Sequence, residues 1–259
     1  MDATNAVSNN GLIVPPRFPT NENVARPIIF NAHQVRAILS GDMACTRRLM
    51  ARSMAGMLDE PRGQADIDAG YPFVETEDGY VSAVNLCPLG QPGDRLWVRE
   101  GFGEMYDWCD HDEMPGCPSE HWHLGWKYRA DGDFNASSED GSFTGWKPSI
   151  HMPREASRIL LEITGVRAER LRDSSDIDLL GDLGDMLEDD HTVACREFSR
   201  IEHLQSAGAP LRMLAEMYGY KAWWDKTNGA GSFDANPCVW VAEFKAVSVI
   251  SPAELEVAP

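Results

Sequence analysis

Three things are scarce in this sequence: long apolar runs, paired cysteines and positive charge. No segment approaches the roughly 20 consecutive apolar residues that a membrane-crossing helix needs, so no membrane partner is expected. Cys45, Cys87, Cys109, Cys117, Cys195 and Cys238 include no Cys-x-x-Cys pair, the spacing of zinc ribbons and redox-active dithiols. Residues 1–24 are rich in Asn and Pro and lack both the basic start and the apolar run of an export signal. They read as a loose arm. The cysteines are therefore expected to stay reduced in a cytoplasm and not to form a disulfide framework. Lys and Arg number 23 against 41 Asp and Glu, a net charge of −18. Sequence-independent affinity for nucleic acid comes from cations that neutralise phosphates, so this balance excludes broad binding and any such site must be local.

What is present fits an ordinary globular chain, with 43% hydrophobic and 25% charged residues. The length suits one elaborated domain, expected over residues 25–250 with a tail at 251–259. Arg26 to Asn31 reads as a short strand, and Ala32 to Leu39 as a helix with Val35, Ile38 and Leu39 on one face. Thr46 to Arg52 reads as a strand and 59–85 as a hairpin or irregular excursion. The turn Gly90-Gln-Pro-Gly-Asp94 launches a strand from Arg95. An insertion at about 103–145 follows, with a strand resuming at Leu124 to Ala130. Strand spacing then appears in Ile159, Leu161 and Ile163, helices over about 173–219, and a last strand at Cys238 to Val249. Short strands outside a strict alternation with helices predict an α+β fold, a small barrel with flanking helices and long loop insertions.

Several residues carry chemistry. In the strand after Asp94, Leu96, Val98 and Glu100 share one face, Trp97 and Arg99 the other. A carboxylate on an apolar face is either paired or functional, because burying it alone is costly. Thr46, Arg47 and Arg48 place a hydroxyl and two guanidiniums on one strand, and Arg154 and Arg158 add more beside Ser149, His151 and Ser157. Guanidiniums grip phosphates and stack on bases; the alternative is pairing with acids such as Glu155 or Glu100. Trp146, His151 and Trp224 are candidates for stacking on a base or, for the tryptophans, for filling the core. Asn228 and Asn236 lie in a turn-rich loop whose polar groups either read base edges or satisfy their own backbone, and the structural role is expected to dominate. The insertion offers Cys109, His111, Cys117, His121 and His123, enough ligands for a tetrahedral zinc but in no standard finger spacing. The expectation is no cofactor, with structural zinc as the alternative.

The most unusual electrostatic feature is the run Asp173, Asp176, Asp178, Asp182, Asp185, Glu188, Asp189 and Asp190, which has no Lys or Arg among them. It reads as a solvated surface or, more sharply, as a mimic of nucleic-acid phosphates for a basic protein partner.

Four stretches together resemble a known family: Arg26-Pro-Ile-Ile-Phe with Ser40-Gly-Asp-Met-Ala-Cys-Thr-Arg-Arg48; Cys87 through the Trp-Val-Arg-Glu ending at Glu100; Trp146-Lys-Pro-Ser-Ile-His-Met-Pro-Arg-Glu-Ala-Ser-Arg158; and Trp224 through Trp240. In order and spacing they resemble the ASCH proteins of phages and prophages. That resemblance implies a PUA-like barrel whose cleft holds RNA or a modified nucleoside, in a protein working in the cytoplasm of a bacterial host. Some ASCH proteins are amidohydrolases of acetylcytidine that use a Lys, a Thr and a Glu. The Thr falls on Thr46 and the Glu on Glu100, but Met43 stands at the Lys position. A thioether neither gives nor takes a proton, so hydrolysis would need a substitute such as Lys127 or Lys147. The expected function is binding of RNA or a modified nucleoside or nucleobase. The alternatives are an amidohydrolase or ribonuclease with a substitute base, and inhibition of a basic host or defence protein through the acid run.

Overall fold

The computed structural model describes residues 25–51, 73–76, 79–106, 123–132 and 142–249. Its centre is a five-stranded sheet in the order β1 (Arg26–Ile29), β5 (Arg95–Arg99), β9 (Ile159–Arg170), β10 (Cys238–Val249) and β2 (Cys45–Leu49). The β1–β5 pair is parallel and the other pairs antiparallel. β3 (Phe73–Thr76) and β4 (Gly79–Ser82) form a hairpin, and β6 (Phe102–Tyr106) lies between β7 (His123–Tyr128) and β8 (Ser142–Phe143) in a second, three-stranded sheet.

One face of the large sheet buries Ile28, Phe30, Leu96, Val98, Ile159, Leu161, Ile163 and Phe244 against α1 (Ala32–Ser40). Asn31 caps α1 in a reciprocal capping box with Gln34, and Gly41 ends it at φ +86°, a left-handed cap that a Cβ would disfavour. The apolar stripe of β9 changes parity part-way. Ile159, Leu161 and Ile163 face this core, while Val166 and Ala168 pack near Trp240 and Met50. The register explains it: Glu243 opposes Gly165 and Phe244 opposes Ile163, so Thr164 is an extra residue. One inserted residue exchanges the two faces of a strand.

The other face carries the helices α2 (Asp176–Gly181), α3 (Val193–Ser206) and α4 (Ala215–Asn228). Leu179, Leu183, Met186, Met217, Tyr220 and Trp224 cover Val239 and Val241 there. The acid-rich segment is clamped beneath α1: Gln34 donates to the Asp182 carbonyl at 2.9 Å, and Asp185 pairs with both Arg36 and His33.

β1 and β2 are the two margins of the sheet, and among the described residues no ladder joins them. Among the described residues, then, the fold is α+β with a five-stranded sheet open at this seam, and no closed barrel is formed. Arg48 of β2, among the described residues, spans the seam, donating to the Ile29 carbonyl at 2.6 Å and lying over the Phe30 ring at 5.2 Å. Among the described residues no helix is long and apolar enough to cross a membrane.

Candidate functional site

Glu100 follows β5 with the inward orientation of Leu96 and Val98, and it is 1% exposed. Arg158, just before β9 and 4% exposed, grips both its oxygens: Nε to Oε1 at 2.9 Å and Nη2 to Oε2 at 3.1 Å. The far edge of the same guanidinium meets Asp131, with Nη1 to Oδ2 at 2.9 Å and Nη2 to Oδ1 at 2.8 Å. The Tyr128 ring lies over the guanidinium at 4.0 Å, and its own hydroxyl donates to the Ala156 carbonyl. Burial pushes the Glu100 carboxyl up, opposed by Arg158 and reinforced by Asp131. The plane of Arg158 is thus fixed on three sides, by two carboxylates and an aromatic face. The paired alternative for Glu100 is the one adopted.

A second buried pair lies behind the sheet. Arg47 Nη1 meets Asp182 Oδ2 at 3.1 Å, both fully enclosed, and Arg47 also donates to Ser174 and to the Asp178 carbonyl. Burial pushes Asp182 up to about 6 despite the pull of Arg47, and it raises Tyr220 beside them.

Four other arginines behave differently. Arg48, Arg99, Arg129 and Arg154 meet carbonyls and rings, and among the described residues none makes a hydrogen bond or ion pair with a carboxylate, although Arg48, pushed down by burial, feels the charge of Asp182. Arg99 donates to the Ile150 and Met152 carbonyls and lies over Trp97 at 5.1 Å; Arg154 lies over the same ring at 5.9 Å. Arg129 lies over Trp146 at 5.6 Å, and its N–H donates to the Gly101 carbonyl. Arg48 bonds Ile29, the residue in register with Arg99. All four reach the ends of β1 and β5. Of the four, Arg154 lines a cavity of about 160 Å³, together with Trp97, Ser157, Arg158, Leu160 and Ser248.

The expected site residues divide accordingly. Arg154, Ser157 and Arg158 line that cavity, although the Ser157 hydroxyl is spent on the Val98 carbonyl. Trp146, Ser149 and His151 lie on the neighbouring segment, with Trp146 half-buried and His151 exposed. Arg47 faces the helices and serves Asp182, away from this group. Trp224 is 1% exposed in the helical core, its indole N–H on Ser232, so it fills space and has no open face for a base. Asn228 bonds the Trp224 carbonyl, and Asn236, at φ +47°, accepts from the Arg172 N–H; both stabilise their own turn.

Thr46 is buried on β2 opposite Ala242, and no hydrogen bond joins it to Glu100, whose oxygens Arg158 occupies. Met43 is a core residue, 4% exposed among Ile28, Phe30 and Val35. Lys147 pairs with Glu104 at 2.9 Å. Lys127 opposes Gly103 and alternates to the face of β7 opposite Tyr128, the ring over Arg158.

Cys109, His111, Cys117, His121 and the His123 side chain lie outside the described residues. Among described residues, Asp189, Asp190 and His191 come close enough to share an ion, but they are surface groups of the acid run. That run is only partly a solvated face: Asp182, Asp185 and Asp189 turn to Arg47, Arg36 and His33, while Asp173, Asp176, Asp178, Glu188 and Asp190 stay exposed.

Trp97, Arg99, Tyr128, Arg129 and Asp131 were absent from the expected site. The alternation of β5 already set Trp97 and Arg99 on the outward face, a signal available in the sequence. Nothing local marks Asp131. Comparison with family models, curated proteins and solved structures finds no match for the chain.

Proposed function

We propose that this is an ASCH-type protein of phage origin that binds RNA or a modified nucleoside on the arginine and tryptophan surface at the ends of β1 and β5. One observation carries this reading: on a chain of net charge −18, Arg99, Arg129 and Arg154 have no carboxylate hydrogen bond or ion pair among the described residues and lie on Trp97 and Trp146 around the end of β5, with Arg48 reaching the adjoining end of β1 from the core side. Guanidiniums left to carbonyls and aromatic faces keep donors and charge for a phosphate, and Trp97 and Trp146 supply planar surfaces beside them. The five-stranded sheet, bridged between its margins by Arg48, would correspond to the barrel strands of that family, with the cleft at this end.

Binding without hydrolysis is the second half of the proposal. Glu100 has both oxygens held by Arg158, and Met43 packs in the core where the family's Lys would stand. Neither Glu100 nor Met43 then supplies the free base that the family's route needs.

The test is fluorescence anisotropy with short single-stranded RNA across a salt series. Four phosphate contacts give a log–log slope of about −3. Trp97→Ala with Arg154→Ala is expected to weaken binding about 5- to 150-fold, the equivalent of losing one stacked base, with the melting temperature little changed. Acetylcytidine should survive incubation intact. Absence of RNA binding at low salt, or rapid release of cytidine, refutes the proposal.

A further inference from the structure

We propose that Asp131 is an internal stand-in for the ligand's phosphate: it occupies the outer edge of Arg158, and an internal phosphodiester of single-stranded nucleic acid takes its place there on binding. This deepens the function proposed above and rests on it.

Arg158 is almost wholly enclosed, yet its two carboxylate partners are unlike. Glu100 is 1% exposed and belongs to the core of the fold, whereas the Asp131 side chain is 43% exposed at the end of the short turn Arg129–Asp131. The inner edge of the guanidinium is therefore permanently committed. Among the described residues its outer edge, Nη1 with one side of Nη2, meets the Asp131 carboxylate alone, which water already reaches.

The charge count adds a second argument. One guanidinium faces two carboxylates, so the cluster holds one negative charge in excess, and Asp131 acts to raise the buried Glu100. The Tyr128 ring at 4.0 Å keeps the guanidinium plane in position whichever anion lies at its edge. The fork of Nη1 and Nη2 matches two oxygens of a phosphate as well as it matches a carboxylate.

That count also selects among phosphates. A phosphodiester carries a single negative charge, so exchanging it for Asp131 leaves the charge beside Glu100 unchanged. A terminal phosphate monoester, close to a dianion near neutral pH, adds charge next to a buried carboxylate. A free nucleoside brings nothing for the vacated edge. Arg129 on Trp146 lies on the same turn as Asp131, which places a guanidinium and an indole face next to the exchange point.

The experiment measures, by isothermal calorimetry, the binding of a dinucleoside monophosphate, a nucleoside 5′-monophosphate and a nucleoside to wild type, Asp131→Asn and Asp131→Ala. Circular dichroism confirms that each variant is folded. Removing the internal competitor is expected to tighten the dinucleotide severalfold in both variants and to leave the nucleoside unchanged, with the diester preferred over the monoester in wild type. Unchanged or weakened dinucleotide binding in folded variants overturns the exchange while leaving the RNA-binding surface intact. Equal or stronger monoester binding in wild type overturns the phosphodiester assignment. If none of the three ligands binds to any form, the function proposed above fails together with this one. Should Asp131→Asn and Asp131→Ala both fail to fold, Asp131 is a structural member of the cluster and the exchange is likewise overturned.

Discussion

Replacing Arg158 with methionine tests the buried cluster most directly. The substitution keeps much of the volume and the contact with the Tyr128 ring but removes every hydrogen bond to Glu100, leaving a carboxylate 1% exposed beside the thioether of Met152. Breaking a buried pair from one side typically costs about 3–5 kcal/mol, because the remaining charge has lost its counterpart. For a chain of this size each kcal/mol moves the melting temperature by about 2–4 °C, so a fall of about 6–20 °C is expected. Glu100→Gln should cost less, about 1–3 kcal/mol, because Arg158 keeps Asp131 and the amide still accepts a hydrogen bond. The two variants also differ in pH dependence. In Arg158→Met the orphaned Glu100 has its folded-state pKa raised further by burial, so the folded state takes up a proton that the unfolded chain at the same pH does not. The deficit against wild type is then smaller at pH 5 than at pH 8. Urea and thermal unfolding followed by circular dichroism at both pH values provide the assay. A loss below about 1 kcal/mol in Arg158→Met, or an equal loss in Glu100→Gln, refutes the view that this pair is a buried charge complex.

Two further expectations concern the acid-rich segment. Asp182 is pushed up to about 6 in the folded state against about 3.9 unfolded. Its contribution is therefore fully present below the unfolded value and is lost as pH rises through the folded one, so unfolding measured between pH 4 and 7 should show a falling segment that Asp182→Asn flattens. Gly184 has φ +56°, and a Cβ there would stand 2.5 Å from the His33 carbonyl oxygen. Gly184→Ala is accordingly expected to cost more than about 1 kcal/mol in a denaturant titration.

Most elements of the fold were legible locally. The strand at Cys238 to Val249 and the inward orientation of Glu100 both follow from alternation, and the Asn31 to Gly41 segment carries its own caps. Choices of partner were not legible. Arg158 is 58 positions from Glu100 and Arg47 is 135 from Asp182, and no periodicity says which arginine reaches which acid. Both readings of the acid run, a solvated surface or a phosphate mimic, placed it outside, because composition does not reveal that Asp182 is drawn inward by a strand far away. Trp224 could have been recognised: Met217, Tyr220 and Trp224 recur at helical spacing, the stripe of a core-facing helix. Whether the sheet closes was beyond sequence patterning, since closure depends on how two distant margins meet.

That meeting has a mechanical consequence. Among the described residues no main-chain ladder joins the margins of β1 and β2, and the hydrogen bond between them is the Arg48 guanidinium on one carbonyl. A side-chain bond of this kind belongs to no ladder, so breaking it would leave every main-chain pairing of the sheet in place. The arginine that makes this bond is also one of the four that a passing anion would attract, and a bound strand would therefore compete with the bond itself.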